Sequence, residues 1–509
     1  MTAIELAERP GPSEAPMRRP DVSPDDTDRT GLRVSTRSGA VLLSVPGGHH
    51  VEDLLRGPFF ESLLAPPYAP RVTVVSPFVA DTQLATELRK VGVDAESLPL
   101  PRGGAASRVV ESILSERFLL ESRLRAVRLQ RDRARLLDQW PGRRALIALK
   151  GVLSRLPVSR QRWFSLAQAV TDLSDCVRLL DRHRPDLVVT STAGFLAAEV
   201  PLIYAARKQQ IPVMGIDLGW DNLSSKYHTV RPVDHLAVWN ESMRDEAVRY
   251  HQFTPDQVRV TGAVPFDTYF AGAEFPSRER LFASIGADPA LPLVTLATAP
   301  ALVYPTTSNV ARLLAVAAVK GRFGSEVQLL VRVHSRDQLA DYDGLQDGRR
   351  VFVEKPFQQL ERGVGQPELD AFTPGAGGRG RLAATLAHSD VVVNFASTTT
   401  IEAALFDTPV VNIGFDSEAG LPLPLSIRRY YEYEHYQPVI ETGAAQVAWS
   451  EAELIDVVGA YLRDPSLDRV GRQALVRHCC AFPEGGAGRR LAQWVRETLV
   501  RRCEQGGRF

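Results

Sequence analysis

Three short stretches of this chain gather the side-chain types that group-transfer chemistry needs. In the first, an apolar run at residues 390–394 leads into Phe395-Ala396-Ser397-Thr398-Thr399-Thr400-Ile401-Glu402. A helical pattern starts directly after the hydroxyls. A helix N-terminus offers unpaired amides and the positive end of the helix dipole, and Ser397, Thr398 and Thr399 add donors, so this turn suits a phosphate. Glu402 falls in the first helical turn, placed to accept hydrogen bonds from two ribose hydroxyls. The plain structural use of the same residues is a Ser/Thr N-cap with a carboxylate on the dipole. In the second stretch, Val331-Arg332-Val333-His334-Ser335-Arg336-Asp337, His334 and Arg336 follow another apolar run, where an imidazole or guanidinium can meet a phosphate. A surface-loop histidine is the alternative there. The third, residues 219–226, puts Asp221, Asn222, Ser224, Ser225 and Lys226 in one loop: a carboxylate, an amide, hydroxyls and a cation.

The elements that must position these groups are short β-branched runs. Residues 40–45, 71–76, 186–191, 211–216, 235–239 and 258–262 lack strict alternation, as parallel strands buried on both faces do. Helical patterns lie at 81–91 and 194–209. The first run ends at His49 and His50. Turn-rich residues 267–290 read as a boundary. The pattern then restarts with runs at 293–298, 327–333, 390–394 and 408–413, a helix at 307–320, and a Gly-rich, irregular, mobile loop at 356–380. Two successive βα units predict an α/β protein of two Rossmann-like domains facing each other across a cleft, with ligands at the C-terminal strand ends. The expected order is a disordered tail at 1–36, an N-terminal acceptor domain at 37–270, a nucleotide-donor domain at 271–485, and a C-terminal helix and tail at 486–509.

Residues 102–170 interrupt the first domain with helical spacing and dense charge: 14 Arg and 1 Lys against 3 Glu and 2 Asp, a net of +10. This predicts a helical insertion, either a solvated scaffold or a cationic surface for anionic lipid or a phosphate-bearing acceptor. Over all 509 residues, 60 Lys and Arg balance 60 Asp and Glu, so a nucleic-acid partner is not expected. Cys176, Cys479, Cys480 and Cys503 form no Cys-x-x-Cys pair, which argues against a zinc site or disulfide scaffold. The N-terminus reads as no signal peptide, and no apolar run is long enough to span a membrane. A cytoplasmic protein is the expectation, with peripheral contact at the inner face of the membrane as the alternative that the basic insertion leaves open. Asp341-Tyr342-Asp343 mimics a metal-binding Asp-x-Asp but lies among Gln, Gly and Arg, away from a buried strand end. No metal and no cofactor are expected.

Several segments resemble glycosyltransferases of the GT-B architecture, and more narrowly cell-surface polysaccharide and CDP-glycerol glycerophosphotransferase-like proteins. They are Trp-Asp-Asn-Leu-Ser-Ser-Lys at 220–226, Val-Trp-Asn-Glu at 238–241, Val-Thr-Gly-Ala-Val-Pro-Phe-Asp at 260–267, Arg-Val-His-Ser-Arg-Asp at 332–337 and residues 396–409. The resemblance implies a nucleotide site with Ser397, Thr398 and Thr399 at the diphosphate, Glu402 at the ribose, and His334 and Arg336 near the phosphates. The glycerophosphotransferase branch typically carries a His after the Trp, where this chain has Asp221; that departure favours sugar transfer. The expected reaction moves a sugar from a nucleotide-diphosphate donor, UDP by default, to an acceptor hydroxyl, lipid-linked or phosphate-bearing, in cell-surface glycan or secondary-metabolite biosynthesis. It is inverting and metal-independent. Asp221 is the first choice of general base, and His49 or His50 the second. The same cleft also fits a CDP-glycerol-type transferase, a nucleotide-sugar 2-epimerase or a non-catalytic nucleotide-sugar-binding regulator.

Overall fold

The computed structural model describes residues 39–99, 101, 104–138, 149–226, 230–270, 275–301, 303–362, 371–375 and 377–504. The tail expected at 1–36 lies outside them, as do residues 139–148 of the insertion and residues 363–370 and 376 of the Gly-rich stretch. The described part of that stretch is not irregular as expected but holds two paired strands, 358–359 and 372–373, and the start of the helix Gly378–His388.

Seven strands make the first sheet: β1 (Ala40–Ser44), β2 (Arg71–Ser76), β3 (Asp94–Ser97), β4 (Leu187–Thr190), β5 (Val213–Ile216), β6 (His235–Val238) and β7 (Val258–Val260). They run in the order β3-β2-β1-β4-β5-β6-β7, and every pair is parallel. The chain moves outward from β1 to β3, then returns to lay β4 on the other side of β1. That reversal opens a crevice at the β1/β4 strand ends, the usual ligand position in such sheets. The second half begins with β8 (Leu293–Ala297), β9 (Gln328–Arg332) and β10 (Val351–Glu354). After the antiparallel ribbon of β11 (Gln358–Gln359) and β12 (Phe372–Thr373) come β13 (Val391–Asn394), β14 (Val410–Ile413) and β15 (Gln446–Ala448). Its parallel sheet has the order β10-β9-β8-β13-β14-β15, with the reversal between β8 and β13.

Alternation explains the layers. Leu42, Val188 and Leu236 face one apolar cluster, which includes Trp163 and Phe164 of the insertion. Val41, Leu43, Val189 and Met214 face the other, with Phe59, Leu491, Trp494 and Val495. The last three belong to the helix Ala487–Glu504, so the end of the chain returns to complete the core of the first half. Asp267 fixes that return, accepting from the amides of Ala487 and Gly488 at 2.9 Å each. The insertion supplies the helices Ala105–Ser122, Arg125–Leu137 and Arg160–Val170. Glu434 of the second half caps the middle one, accepting from the amides of Arg125 and Ala126.

Several elements differ from expectation. The helix expected at 194–209 starts at Val200, because Ala193 and Gly194 take left-handed backbone angles. The expected boundary at 267–290 holds the helix Arg278–Ile285, capped by Ser277. Strand β3, sequence Asp-Ala-Glu-Ser, is a mostly exposed edge strand with no apolar period to read.

Candidate functional site

At the reversal of the first sheet, β1 runs into Gly47 and Gly48 and then the two histidines. A Cβ on Gly48 would lie 2.5 Å from the Phe372 carbonyl oxygen of β12, so glycine is what lets the halves touch there. His49 is exposed and His50 buried, their rings 4.0 Å apart. Burial, with His49 beside it, holds the His50 imidazole well below its usual pKa. His50 Nδ1 lies 3.3 Å from Ser191 Oγ at the end of β4. Glu199 fixes that strand end, accepting from the amides of Ser191 (2.9 Å) and Thr192 (3.0 Å).

The 219–226 loop follows β5 and contains two carboxylates of opposite character. Asp221 accepts from Ser225 Oγ (2.7 Å) and Lys226 Nζ (3.3 Å). Burial pushes its carboxyl up, but Lys226, His435 and Ser225 outweigh that and hold it below the usual carboxylate range. It is a fixed anion. Asp217, the residue directly after β5, is 1% exposed. Its Oδ1 accepts from Asn222 Nδ2 (2.6 Å) and the Gly219 amide (3.1 Å), while Oδ2 has no hydrogen-bond partner among the described residues. Burial pushes this carboxyl up to about 7 against the pull of those two donors. A buried carboxyl that exchanges its proton near neutral pH is suited to general acid–base work.

In the second half, Ala396 adopts a left-handed φ of 50° to turn β13 into the helix Thr399–Leu405. Asn394 Oδ1 holds the Ser397 amide (3.1 Å), and Ser397 Oγ accepts from the Thr399 amide (3.2 Å). Thr400 is buried against Asn394, Asn412 and Tyr436. Trp220 bridges the halves: its indole N–H donates to Thr398 Oγ1 at 3.1 Å, and its ring packs edge-on to His435. The 219–226 loop and the Ser/Thr turn, 178 residues apart in sequence, therefore meet.

Glu402 is buried beneath this turn. Tyr269 donates to its Oε1 at 2.7 Å, and Arg379 reaches the same oxygen at 3.5 Å. Arg379 also pairs with Asp53 of the first half, so one guanidinium ties carboxylates of both halves. Burial raises the Glu402 carboxyl, with Arg379 and Tyr269 opposing. At the end of β9, the His334 amide donates to Thr298 Oγ1 (2.8 Å), and its Nδ1 accepts from the Arg336 amide (3.2 Å), which leaves the ring proton on Nε2 of the neutral form. The Arg336 side chain is exposed. Ser224 is buried, and Asn222 and Ser225 are spent on Asp217 and Asp221. Asp341 and Asp343 sit exposed at a 3₁₀ turn. Among the described residues, no group of three or more His, Cys, Asp or Glu is placed to hold a metal ion, and no helix is long and apolar enough to cross a membrane.

Sequence reasoning missed Asp217, Tyr269, Arg379, Asp53 and His435. Asp217 had a local signal, a carboxylate ending an apolar strand. Tyr269, Asp53 and His435 act through partners more than 100 residues away, and Arg379 joins Glu402 to Asp53 of the other half, so none of the four had a local signal.

No protein-family model matches the sequence, and no curated protein matches it. Solved structures do. The Neisseria meningitidis UDP-GlcNAc 2-epimerase bound to UDP-GlcNAc superposes with a TM-score of 0.51 at 11% identity, over 91% of this chain and 100% of that one. The S. aureus MnaA–UDP co-structure gives 0.52 at 10% identity, over 91% and 97%. The chain has the GT-B fold. At such identities the likeness is one of fold, and the chemistry must be argued from the side chains.

Proposed function

We propose that this GT-B protein binds a nucleotide-diphosphate sugar, with UDP as the nucleotide, and transfers the sugar to an acceptor hydroxyl. The observation that carries the reading is Asp217: a buried carboxyl at a strand end, one oxygen unpartnered, beside the Trp220 bridge to the Ser/Thr turn. In this reading the donor lies in the second half. Ser397, Thr398 and Thr399 meet the diphosphate with His334 and Arg336 nearby. The ribose hydroxyls engage Glu402 through Oε2, since Tyr269 and Arg379 both use Oε1.

The acceptor oxygen attacks the anomeric carbon as the bond to the diphosphate oxygen breaks, and the acceptor proton passes to Asp217. Departing negative charge is absorbed by the cationic side chains and turn amides, so activity is expected to survive excess EDTA. Proton acceptance moves from Asp221, the choice made from sequence, to Asp217. A carboxylate clamped by Lys226 gains little by taking a proton. Asp221 is then a fixed anion orienting the acceptor loop, and His50, held at Ser191, is the next candidate base.

A second reading, nucleotide-sugar 2-epimerisation, is favoured by the same carboxyl, which is equally suited to removing a carbon-bound proton. The two part in D₂O with UDP-GlcNAc and no acceptor. Deuterium appearing at C2 identifies the epimerase. Unchanged donor, with UDP released only when a hydroxyl acceptor is added, supports transfer. No binding of UDP or UDP-sugars in calorimetry would remove both.

A further inference from the structure

The helical insertion has a surface that neither the cleft nor the core uses. Seven of the seventeen large apolar side chains exposed among the described residues fall between Val109 and Leu166. The densest run is Leu149, Val152 and Leu156, exposed by 54%, 61% and 43%, at a spacing of three and four. Residues 149–153 are helical, so Leu149 and Val152 share one face of that turn. Leu166 lies beyond, one turn after Arg162 on the next helix, both exposed.

The segment is anchored from behind. Leu153 packs against the main apolar cluster, and Arg117 donates to the Leu156 carbonyl at 3.0 Å. The exposed aliphatic groups therefore stand on a supported surface. Their charged neighbours are one-sided. The insertion's Glu111, Glu116, Glu121 and Asp132 are each paired with an arginine. The exposed side chains of Arg155 and Arg162 have no carboxylate partner among the described residues; Arg155 donates only to the Gly151 carbonyl, at 2.7 Å.

We propose that residues 149–166 dock the protein onto an anionic lipid bilayer, with Leu149, Val152, Leu156 and Leu166 entering the headgroup boundary and Arg155 and Arg162 meeting lipid phosphates. Aliphatic side chains interleaved with unneutralised cations match such a boundary. The core of a protein interface is instead enriched in aromatic residues and poor in charge, and all four apolar groups here are aliphatic. The insertion also reaches the 219–226 loop. The insertion helix Arg125–Leu137 donates from Gln130 to the Ser225 carbonyl of the acceptor loop and is capped by Glu434. Docking would set that loop next to a membrane-held acceptor.

The test is co-sedimentation of the full chain with vesicles of phosphatidylcholine alone and of phosphatidylcholine mixed with phosphatidylglycerol. The mixed vesicles are expected to bind the protein, the neutral ones not, and binding should fall steeply with added salt. Two double variants, Val152→Ser with Leu156→Ser and Arg155→Glu with Arg162→Glu, should each weaken binding about tenfold or more while the melting temperature stays unchanged. Equal or absent binding to the two vesicle types, binding indifferent to salt, or variants that bind like wild type would overturn the proposal. So would a concentration-dependent dimer in sedimentation equilibrium that the serine pair abolishes, since a second copy would then be the occupant.

Discussion

Asp217 and Asp221 lie four residues apart in one loop, yet their surroundings send their proton affinities in opposite directions. Desolvation dominates Asp217, whereas Asp221 has a lysine within 3.3 Å. If Asp217 is the base, Asp217→Asn should lower turnover by about 10²–10⁴-fold and leave UDP affinity in place. In wild type, kcat/KM should rise as pH passes upward through about 7, because the ionised form is the active one. Asp221→Asn, by contrast, should chiefly raise KM for the acceptor, and a full loss of kcat in that variant alone would return the base to Asp221. The same shift has a stability sign. A carboxyl whose folded pKa lies above its unfolded value binds its proton more tightly in the fold, so its contribution is lost as pH rises from about 4 towards 7. Asp217→Asn should therefore melt above wild type at pH 8, with the difference vanishing near pH 4. Glu402→Ala removes a carboxylate shared by Tyr269 and Arg379 and should weaken UDP binding by about ten- to a hundredfold, as expected for lost hydrogen bonds of ~1.5–3 kcal/mol to a charged group. Unchanged affinity by calorimetry would take Glu402 out of the donor site.

At the scale of elements, close approach between the halves is set by backbone as much as by charge. The turn after β1 meets β12 because Gly48 has no side chain; a methyl there would lie 2.5 Å from a carbonyl oxygen and 2.8 Å from the Ala371 carbonyl carbon. Backbone on both sides cannot swing aside as a flexible side chain would. Gly48→Ala should cost roughly 1–3 kcal/mol of stability by forced displacement. It should also slow turnover, since β12 carries Thr373, which donates to Glu52 at 2.6 Å beside the Asp53–Arg379 pair. A variant with wild-type melting and kinetics would show that the contact yields without consequence.

For the whole molecule, the first half is not complete until the chain has ended. Leu491, Trp494 and Val495 of the last helix are each no more than 4% exposed and pack with Phe59 and the strands of the first sheet. Each such side chain contributes about 1.5–3 kcal/mol, so their joint loss is comparable with a typical total stability of about 5–15 kcal/mol. Ending the chain at Gly486 should therefore abolish cooperative unfolding of the first half, followed by near-UV circular dichroism. A truncated chain that melts as wild type would assign the helix a peripheral role.

The sequence by itself determined the repeated strand-and-helix order, because buried parallel strands such as Val391–Asn394 carry their apolar signal locally. It also located the Ser397–Glu402 turn and the 219–226 loop, since each packs its reactive residue types into a few consecutive positions. The tertiary structure decided what those residues are. Lys226 and His435 make Asp221 a fixed anion, burial makes Asp217 a titratable acid near neutrality, and Tyr269 with Arg379 occupies one oxygen of Glu402. It also decided that the last helix belongs with the first sheet. Charge state and packing partner depend on desolvation and on neighbours brought in from distant positions, and neither quantity is written in local spacing.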